Sequence, residues 1–317
     1  MIRTDKLTKY YGDFCALKDL TINIEKGSIF GYIGPNGAGK TTTIRILAAL
    51  MKPSSGSAYM DEVEVTSNPR RIKEMVGYLP DFFGVYEGMR VLEYLDFFGA
   101  AFKIPRGKRK KRIAEVLETT GSTYMEDMFV EALSRGMKQR VGIARTLIHD
   151  PRVLLLDEPL SGLDPSARVE MKNLLGKLGQ MGKTILVSSH ILPELAAICD
   201  TVGILDQGSL HAFGPVDEVM RGIRQSRIVR ISVLDDLEGV ASLLRKLGEN
   251  SGIDQVQVEA GDVRFEWSAT EKELSNLLAL LVEKGFQIIG FEEVPMSLEE
   301  AFMELTASKE AQVEGQK

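Results

Sequence analysis

The sequence has few cysteines and no long hydrophobic run. Its 317 residues include one tryptophan, three histidines and two cysteines, Cys15 and Cys199. Two cysteines do not make a disulfide framework, so we expect reduced, partly buried thiols in a cytosolic protein. No run reaches the roughly 18 apolar residues that a membrane-spanning helix requires. The N-terminus carries no apolar segment typical of a signal peptide, so we expect any membrane role to depend on a partner.

A strong excess of one charge is also missing. The chain has 39 basic and 45 acidic residues, a net charge of −6, and 44% hydrophobic residues. This composition excludes general disorder and gives no whole-chain footprint for nucleic acid. Residues 1–222 hold 29 basic and 27 acidic residues, whereas residues 223–317 hold 10 and 18. Length and charge asymmetry therefore predict two domains, 1–222 and 223–317.

Strand and helix patterns alternate in the first domain. The first thirty residues alternate like paired antiparallel strands. Residues 91–134 have a mostly helical and polar pattern, which predicts an inserted helical subdomain that spans about residues 84–145. Apolar runs that read as buried strands lie at 28–33, 153–156 and 184–188, with helices expected over 40–50 and 165–181. Buried strands alternating with helices predict an α/β fold with a parallel sheet.

The second domain follows a βαββαβ order, which predicts a small α+β ferredoxin-like fold. The expected strands are 228–233, 254–259, 262–267 and 287–291, and the expected helices are 237–247 and 271–284. A linker is expected over 221–227 and a final helix over 296–306.

A glycine-rich loop follows the first buried strand. Residues 34–41 read Gly-Pro-Asn-Gly-Ala-Gly-Lys-Thr and fit G-x-x-x-x-G-K-S/T at every fixed position. The alternative is a glycine turn that binds nothing, but the strand before it and the helix after it favour a phosphate-binding loop. Lys40 would reach the β- and γ-phosphates, and Thr41 would ligate Mg²⁺. The residues predicted to bind nucleotide here are Gly34, Pro35, Asn36, Gly37, Ala38, Gly39, Lys40, Thr41 and Thr42.

Two acids end the strand at 153–156. Asp157 and Glu158 would lie at the carboxyl edge of the sheet, where parallel α/β sheets bind ligands. Asp157 suits a metal ligand, and Glu158 suits positioning or deprotonating an attacking water. Alone, the two acids would favour a solvated acidic turn, but the glycine loop makes that the weaker interpretation.

Together these motifs resemble the ATP-binding subunit of an ABC transporter, a P-loop NTPase. Leu133-Ser134-Arg135-Gly136-Met137 is similar to the signature L-S-G-G-Q, and Ser161-Gly162-Leu163-Asp164 matches the D-loop. The resemblance covers roughly residues 1–220 and implies that Ser134, Gly136 and Asp164 contact a nucleotide held by another chain. Ser134 also suits a helix N-cap, and both roles can hold.

The same resemblance assigns two further residues. His190 matches the switch histidine, which implies contact with the γ-phosphate and a catalytic role beside Glu158 and Lys40; a core histidine is the alternative. Tyr11 matches the aromatic residue that stacks on adenine, although ordinary packing or use of Tyr10 instead stays open.

The chain departs from the family pattern at charged positions. Asp81 stands where the family usually has Gln in the Q-loop, and Arg135 and Met137 replace Gly and Gln of the signature. Asp81 could act as a third metal-binding residue and strengthen the attraction for Mg²⁺. Alternatively, it could change the coupling geometry of the Q-loop. The signature variant resembles the branch that exports drugs, lipids or polysaccharides.

The resemblance implies a subunit that binds and hydrolyses ATP with Mg²⁺. It would pair with a second ATPase subunit, identical or homologous, and energise a separate membrane permease, so we expect it at the cytoplasmic face of the membrane and expect no nucleic acid. A soluble ABC ATPase acting on nucleic acid or ribosomes, and an importer ATPase with a regulatory domain, stay open. We also expect the aromatic loop of Phe82, Phe83 and Tyr86 to form part of the permease groove.

Overall fold

A six-stranded sheet lies at the centre of the first of two units, Met1–Val216. The computed structural model describes residues 1–82, 84, 88–223, 227–259 and 261–294. The strands of the first unit are β1 (Ile2–Tyr11), β2 (Phe14–Leu20), β3 (Asn23–Ile24), β4 (Ile29–Ile33), β5 (Ser55–Met60), β6 (Val63–Glu64), β7 (Val76–Leu79), β8 (Val153–Leu156), β9 (Thr184–Ser189), β10 (Thr201–Asp206) and β11 (Ser209–Pro215). Its helices are α1 (Lys40–Leu47), α2 (Pro69–Met75), α3 (Val91–Ala101), α4 (Arg106–Thr119), α5 (Arg135–Leu147), α6 (Pro165–Gln180) and α7 (Leu192–Ala196).

The central sheet has the order β11-β10-β4-β9-β8-β7. All pairs except β10 with β11 are parallel, and every residue of β4, β8 and β9 is buried. Continuous apolar strands of this kind require cover on both faces, which confirms the predicted α/β, P-loop NTPase fold. Because β4, β9 and β8 are neighbours, the loops after them meet at one edge of the sheet.

A second sheet carries the N-terminal strands. Its order is β2-β1-β5-β6, with β3 also paired to β1, and its pairs are antiparallel. Ile2, Leu7 and Leu17 are fully buried in a cluster that includes Phe30 and Tyr32 of the central sheet. The predicted antiparallel β subdomain is therefore confirmed, and it supports the strand that leads into the glycine loop.

Helices α3, α4 and α5 follow β7 and confirm the predicted helical segment. α1 is shorter than expected, because it ends at Leu47 and Ala49 takes a left-handed φ of +53°. No helix in the described ranges is long and apolar enough to cross a membrane.

The second unit begins at Asp217 and contains its own sheet. Its elements are β12 (Arg227–Val233), α9 (Leu237–Ser251), β13 (Ile253–Glu259), β14 (Asp262–Trp267), α10 (Glu271–Glu283) and β15 (Ile288–Val294), and α8 (Val216–Ile223) lies at its start. The order β13-β14-β12-β15, all antiparallel, confirms the ferredoxin-like prediction. The expected linker is partly wrong, because residues 221–223 end α8 and Arg227 begins β12. The expected helix 296–306 lies outside the described residues.

Candidate nucleotide-binding and hydrolysis site

The glycine loop connects β4 to α1 and excludes side chains at two positions. A Cβ on Gly34 would lie 2.2 Å from the carbonyl oxygen of Leu205, and one on Gly39 would lie 2.5 Å from that of Ala16. Gly39 also has a φ of +106°, which glycine adopts at little cost. Because no side chain fits at these two positions, the backbone before the N-terminus of α1 is not covered by side chains there. The first turn of α1 carries no acidic residue. Such a terminus attracts anions.

Lys40, the first residue of α1, folds back over this loop. Its ammonium donates hydrogen bonds to the carbonyl oxygens of Gly34 (2.5 Å) and Pro35 (3.1 Å). The side chain is only 6% exposed, and Nζ lies 3.2 Å from Oε1 of Glu158. A buried ammonium at the mouth of a glycine loop is suited to bind phosphate oxygens.

Glu158 joins Lys40 to His190. Its other carboxylate oxygen, Oε2, lies 3.0 Å from Nδ1 of His190, which follows β9. Oε1 accepts no hydrogen bond although Lys40 is close, and the backbone of Glu158 has a left-handed φ of +49°. A carboxylate with one oxygen oriented by a histidine and the other in an ion pair with Lys40 has the geometry of a general base held by a histidine.

Ser188 links the two acids and is a residue that sequence reasoning missed. Its hydroxyl donates to Oδ1 of Asp157 at 2.8 Å and accepts from the backbone N–H of Glu158 at 2.9 Å. Within an apolar strand pattern, its only sequence signal is its place near the end of β9. Burial raises the pKa of Asp157, which is 1% exposed, while the hydroxyls of Thr41 and Ser188 lower it.

The oxygen groups here fit a magnesium ion held together with phosphates. Asp157 is a buried carboxylate, and the Thr41 hydroxyl lies beside it. Among the described residues, no group of three or more His, Cys, Asp or Glu side chains could hold a metal alone. Mg²⁺ commonly takes one or two carboxylates and completes its shell with substrate phosphates and water, which suits this set.

Asp81 lies two residues beyond β7, which is the neighbour of β8. Its charge contributes to the raised pKa of Asp157. Its Oδ1 lies 3.9 Å from Nη2 of Arg135, the first residue of α5. Asp81 is therefore near the oxygen atoms of Asp157 and Thr41 that suit a metal ion, but it forms its ion pair with the signature segment.

The signature and D-loop residues form a second cluster. Ser134 caps α5 and accepts from the N–H of Met137 at 3.4 Å, and Asp164 caps α6. A Cβ on Gly136 would lie 3.0 Å from Cβ of Ala167, so the two helix starts are in close contact. Among the hydrogen bonds of the described residues, none joins this cluster to the glycine loop of the same chain. The predicted N-cap role of Ser134 is confirmed.

Tyr11 ends β1 and is partly exposed. Its hydroxyl lies 3.0 Å from Sδ of Met51, and the ammonium of Lys9 lies 5.5 Å from its ring centroid. Tyr10 is exposed to a similar degree. An exposed ring is available for stacking, and the role of Tyr11 stays a prediction.

Family models match both parts of the chain. The model described as ABC transporter matches residues 17–161, and the model described as ATP-binding protein DrrA1-3-like, C-terminal domain, matches residues 214–306. The first match contains the glycine loop, the signature and both acids, and the second contains the ferredoxin-like unit.

Full-length relatives and solved structures agree with these matches. The chain is 34% identical to the bacitracin transport ATP-binding protein BcrA of Bacillus licheniformis, over 96% of this chain and 97% of the relative. It is 33% identical to the Nod factor export ATP-binding protein I of Ralstonia nicotianae, over 96% and 94%. The dimeric structure of MJ0796, a bacterial ABC transporter cassette, matches with a TM-score of 0.61 and 27% identity, over 68% of this chain and 99% of that one. The chain therefore belongs to the ATP-binding, ATP-hydrolysing subunits of ABC transporters, which energise a separate permease, in the group with a DrrA-like C-terminal domain.

Proposed function

We propose that this subunit drives export, as two copies that close around Mg²⁺-bound ATP beneath a membrane permease. The observation that carries the proposal is the Lys40–Glu158–His190 cluster at the edge of the sheet. The relatives are named for bacitracin transport and Nod factor export, and the signature variant resembles the same branch. We infer a cassette domain over 1–222 and an accessory domain over 223–317 that serves dimerisation or regulation.

In this proposal each residue of the site has one role. Lys40 and backbone N–H groups within residues 36–42 bind the phosphates, and Tyr11 stacks on the adenine. Thr41 and Asp157 would hold Mg²⁺, which neutralises phosphate charge, and Asp81 would add a nearby carboxylate. Glu158 takes the proton of the attacking water, while the contact of Oε2 with His190 keeps Oε1 directed to that water.

The second cluster supplies the other half of a nucleotide site. Ser134, Gly136 and Asp164 make no hydrogen bond to the glycine loop of their own chain among the described residues. In a pair of copies, the hydroxyl of Ser134 and the N–H of Gly136 would reach the γ-phosphate of the partner's nucleotide. The dimeric form of the MJ0796 cassette supports this arrangement.

A groove of about 420 Å³ is the proposed contact for the permease. It lies between the end of α1, the strand β7, helix α3 and the end of α5. Its apolar lining includes Leu50, Val76, Phe98 and Phe102. Phe82, which sequence reasoning assigned to this contact, is exposed and does not line the groove, and Phe83 and Tyr86 lie outside the described residues.

Transport by the subunit with its permease tests the proposal. Leu50→Glu places a charge on the groove rim, where the side chain is already 55% exposed. We expect it to abolish the ATP-dependent accumulation of substrate within inside-out membrane vesicles, into which an exporter pumps, and to leave basal ATP hydrolysis intact. Met181→Glu, at an equally exposed position after α6, is the control and should transport normally. Normal transport by Leu50→Glu would show that the groove is not the permease contact. ATP-driven uptake of substrate into cells would show that the subunit drives import and not export.

A further inference from the structure

We propose that Arg135 is a positioning residue, which holds the first turn of α5 against Asp81 and Gly162. This role rests on the proposed function, because that turn follows Ser134, the residue proposed to meet the nucleotide of a second copy. Arg135 would thus connect the Q-loop and the D-loop to the signature within one chain.

The first observation is the ion pair. Nη2 of Arg135 lies 3.9 Å from Oδ1 of Asp81, and the two side chains are 56% and 54% exposed. Each residue replaces an uncharged one of the family pattern, Gly and Gln respectively. The two departures have opposite charges and form an exposed ion pair.

The second observation is the place of Arg135 on its helix. The N-terminus of an α-helix carries partial positive charge, so a basic residue in the first turn is unfavourable. The first turn of α5 contains Arg135 and no acidic residue. Asp81, from outside the helix, supplies the negative charge that this position requires.

The third observation is the contact with the D-loop. A Cβ on Gly162 would lie 2.6 Å from Cζ of Arg135, so the guanidinium rests against the glycine backbone. Gly162 has a φ of +66°. The neighbouring contact of Gly136 with Ala167 joins the starts of α5 and α6 in the same way. Arg135 therefore has the Asp81 carboxylate on one side and the glycine backbone on the other.

These contacts give residue 81 an influence on the signature. Asp81 follows β7 beside the metal-type oxygens, and its carboxylate is bound to the helix that Ser134 caps. The orientation of Ser134 then depends on the pair, and so does the ATP-dependent association of two copies. Nucleotide binding by a single chain does not depend on Arg135, since Arg135 makes no contact with the glycine loop in the described structure.

The test measures association in the Glu158→Gln background, where ATP is bound but not consumed. Arg135→Gln and Asp81→Asn should each raise the protein concentration for half-dimerisation in ATP by about two- to fivefold at low salt, the range for an exposed pair. The double variant should be no worse than either single one, and Arg135→Lys should recover most of the loss. In 1 M NaCl the differences should vanish, because exposed charges are screened. The Kd of Arg135→Gln for a fluorescent ATP analogue should be unchanged.

Two controls separate the pair from general damage. Arg152→Gln removes another exposed pair, with Asp61 at 3.1 Å, and should not change association. Gly162→Ala should weaken association more than Gly182→Ala, because Gly182 has a similar φ of +80° but open space around its Cβ. Additive losses in the double variant, or losses that persist in 1 M NaCl, would overturn the positioning role. If the Glu158→Gln chain forms no dimer in ATP even with Arg135 intact, the proposed function fails and this role fails with it.

Discussion

The ammonium nitrogen of Lys40 lies 3.2 Å from Oε1 of Glu158, so the lysine proposed to bind phosphate is paired with the proposed catalytic base. Both side chains are largely buried, where an unpaired charge is costly. A triphosphate in the glycine loop would compete for the same ammonium. Nucleotide binding would then free Glu158 to accept a proton from water, which makes the base available only when substrate is present.

Glu158→Gln should separate binding from hydrolysis. The amide keeps the shape but cannot take a proton, so we expect kcat to fall by at least about 100-fold. ATP affinity should be equal or higher, because the neutral amide competes less for Lys40, and an ATP-dependent dimer should accumulate. Phosphate release, a fluorescent nucleotide titration and sedimentation measure the three effects. Unchanged turnover would remove Glu158 from the role of base.

Lys40→Ala should weaken ATP binding by at least about 100-fold, since a charge-assisted contact to the phosphates is lost. It should also lower the melting temperature, because the Glu158 carboxylate is left buried without its counterion. The double variant Lys40→Ala/Glu158→Gln should recover the melting temperature but not the binding. Lys111→Ala, at an 85% exposed position, is the control. Recovery of binding in the double variant would contradict a direct phosphate contact.

Ser188→Ala should lower kcat by more than its loss of folding stability alone can explain. The substitution removes the donor to Asp157 and the acceptor for the N–H of Glu158, so both acids lose their orientation. We expect a loss of about 1–3 kcal/mol in the free energy of unfolding and at least a tenfold lower kcat, with a smaller effect on ATP affinity. Thr120→Val removes a buried hydroxyl directly after α4, far along the chain from the site, and should cost stability without the loss of kcat. Equal kcat in the two variants would reduce Ser188 to a structural residue.

The sequence predicts the parts of the site that depend on one loop or one strand end. The spacing of residues 34–41 alone predicts a phosphate-binding loop. Asp157, Glu158 and His190 follow apolar runs whose neighbours in the sheet can be inferred. Contacts between distant loops could not be predicted in this way. The pairing of Arg135 with Asp81 depends on where α5 begins relative to β7, and no local pattern encodes that distance.

His149 is a partly buried histidine that lines the groove proposed to contact the permease. Its ring stacks on Phe102 with centroids 3.8 Å apart, and Nε2 lies 3.0 Å from the carbonyl oxygen of Val76. Burial lowers the pKa of His149 from 6.5 to about 4. In the unfolded chain His149 is therefore protonated as the pH falls through about 6.5, whereas in the folded chain it is protonated only near pH 4. The contribution of His149 to stability is present above pH 6.5 and is lost as the pH falls toward 4.

Urea unfolding between pH 7 and pH 4 tests this dependence. The free energy of unfolding of the wild type should include a term from His149 that falls by up to about 1.4 kcal/mol per pH unit in that window. His149→Gln cannot titrate, so its curve should fall less steeply, although it starts lower at pH 7 because the stacking on Phe102 is lost. Phe102→Leu keeps the histidine but removes the flat ring that covers it, which should bring the pKa of His149 closer to its ordinary value and also reduce the slope. A slope in His149→Gln equal to that of the wild type would show that other groups carry the acid sensitivity.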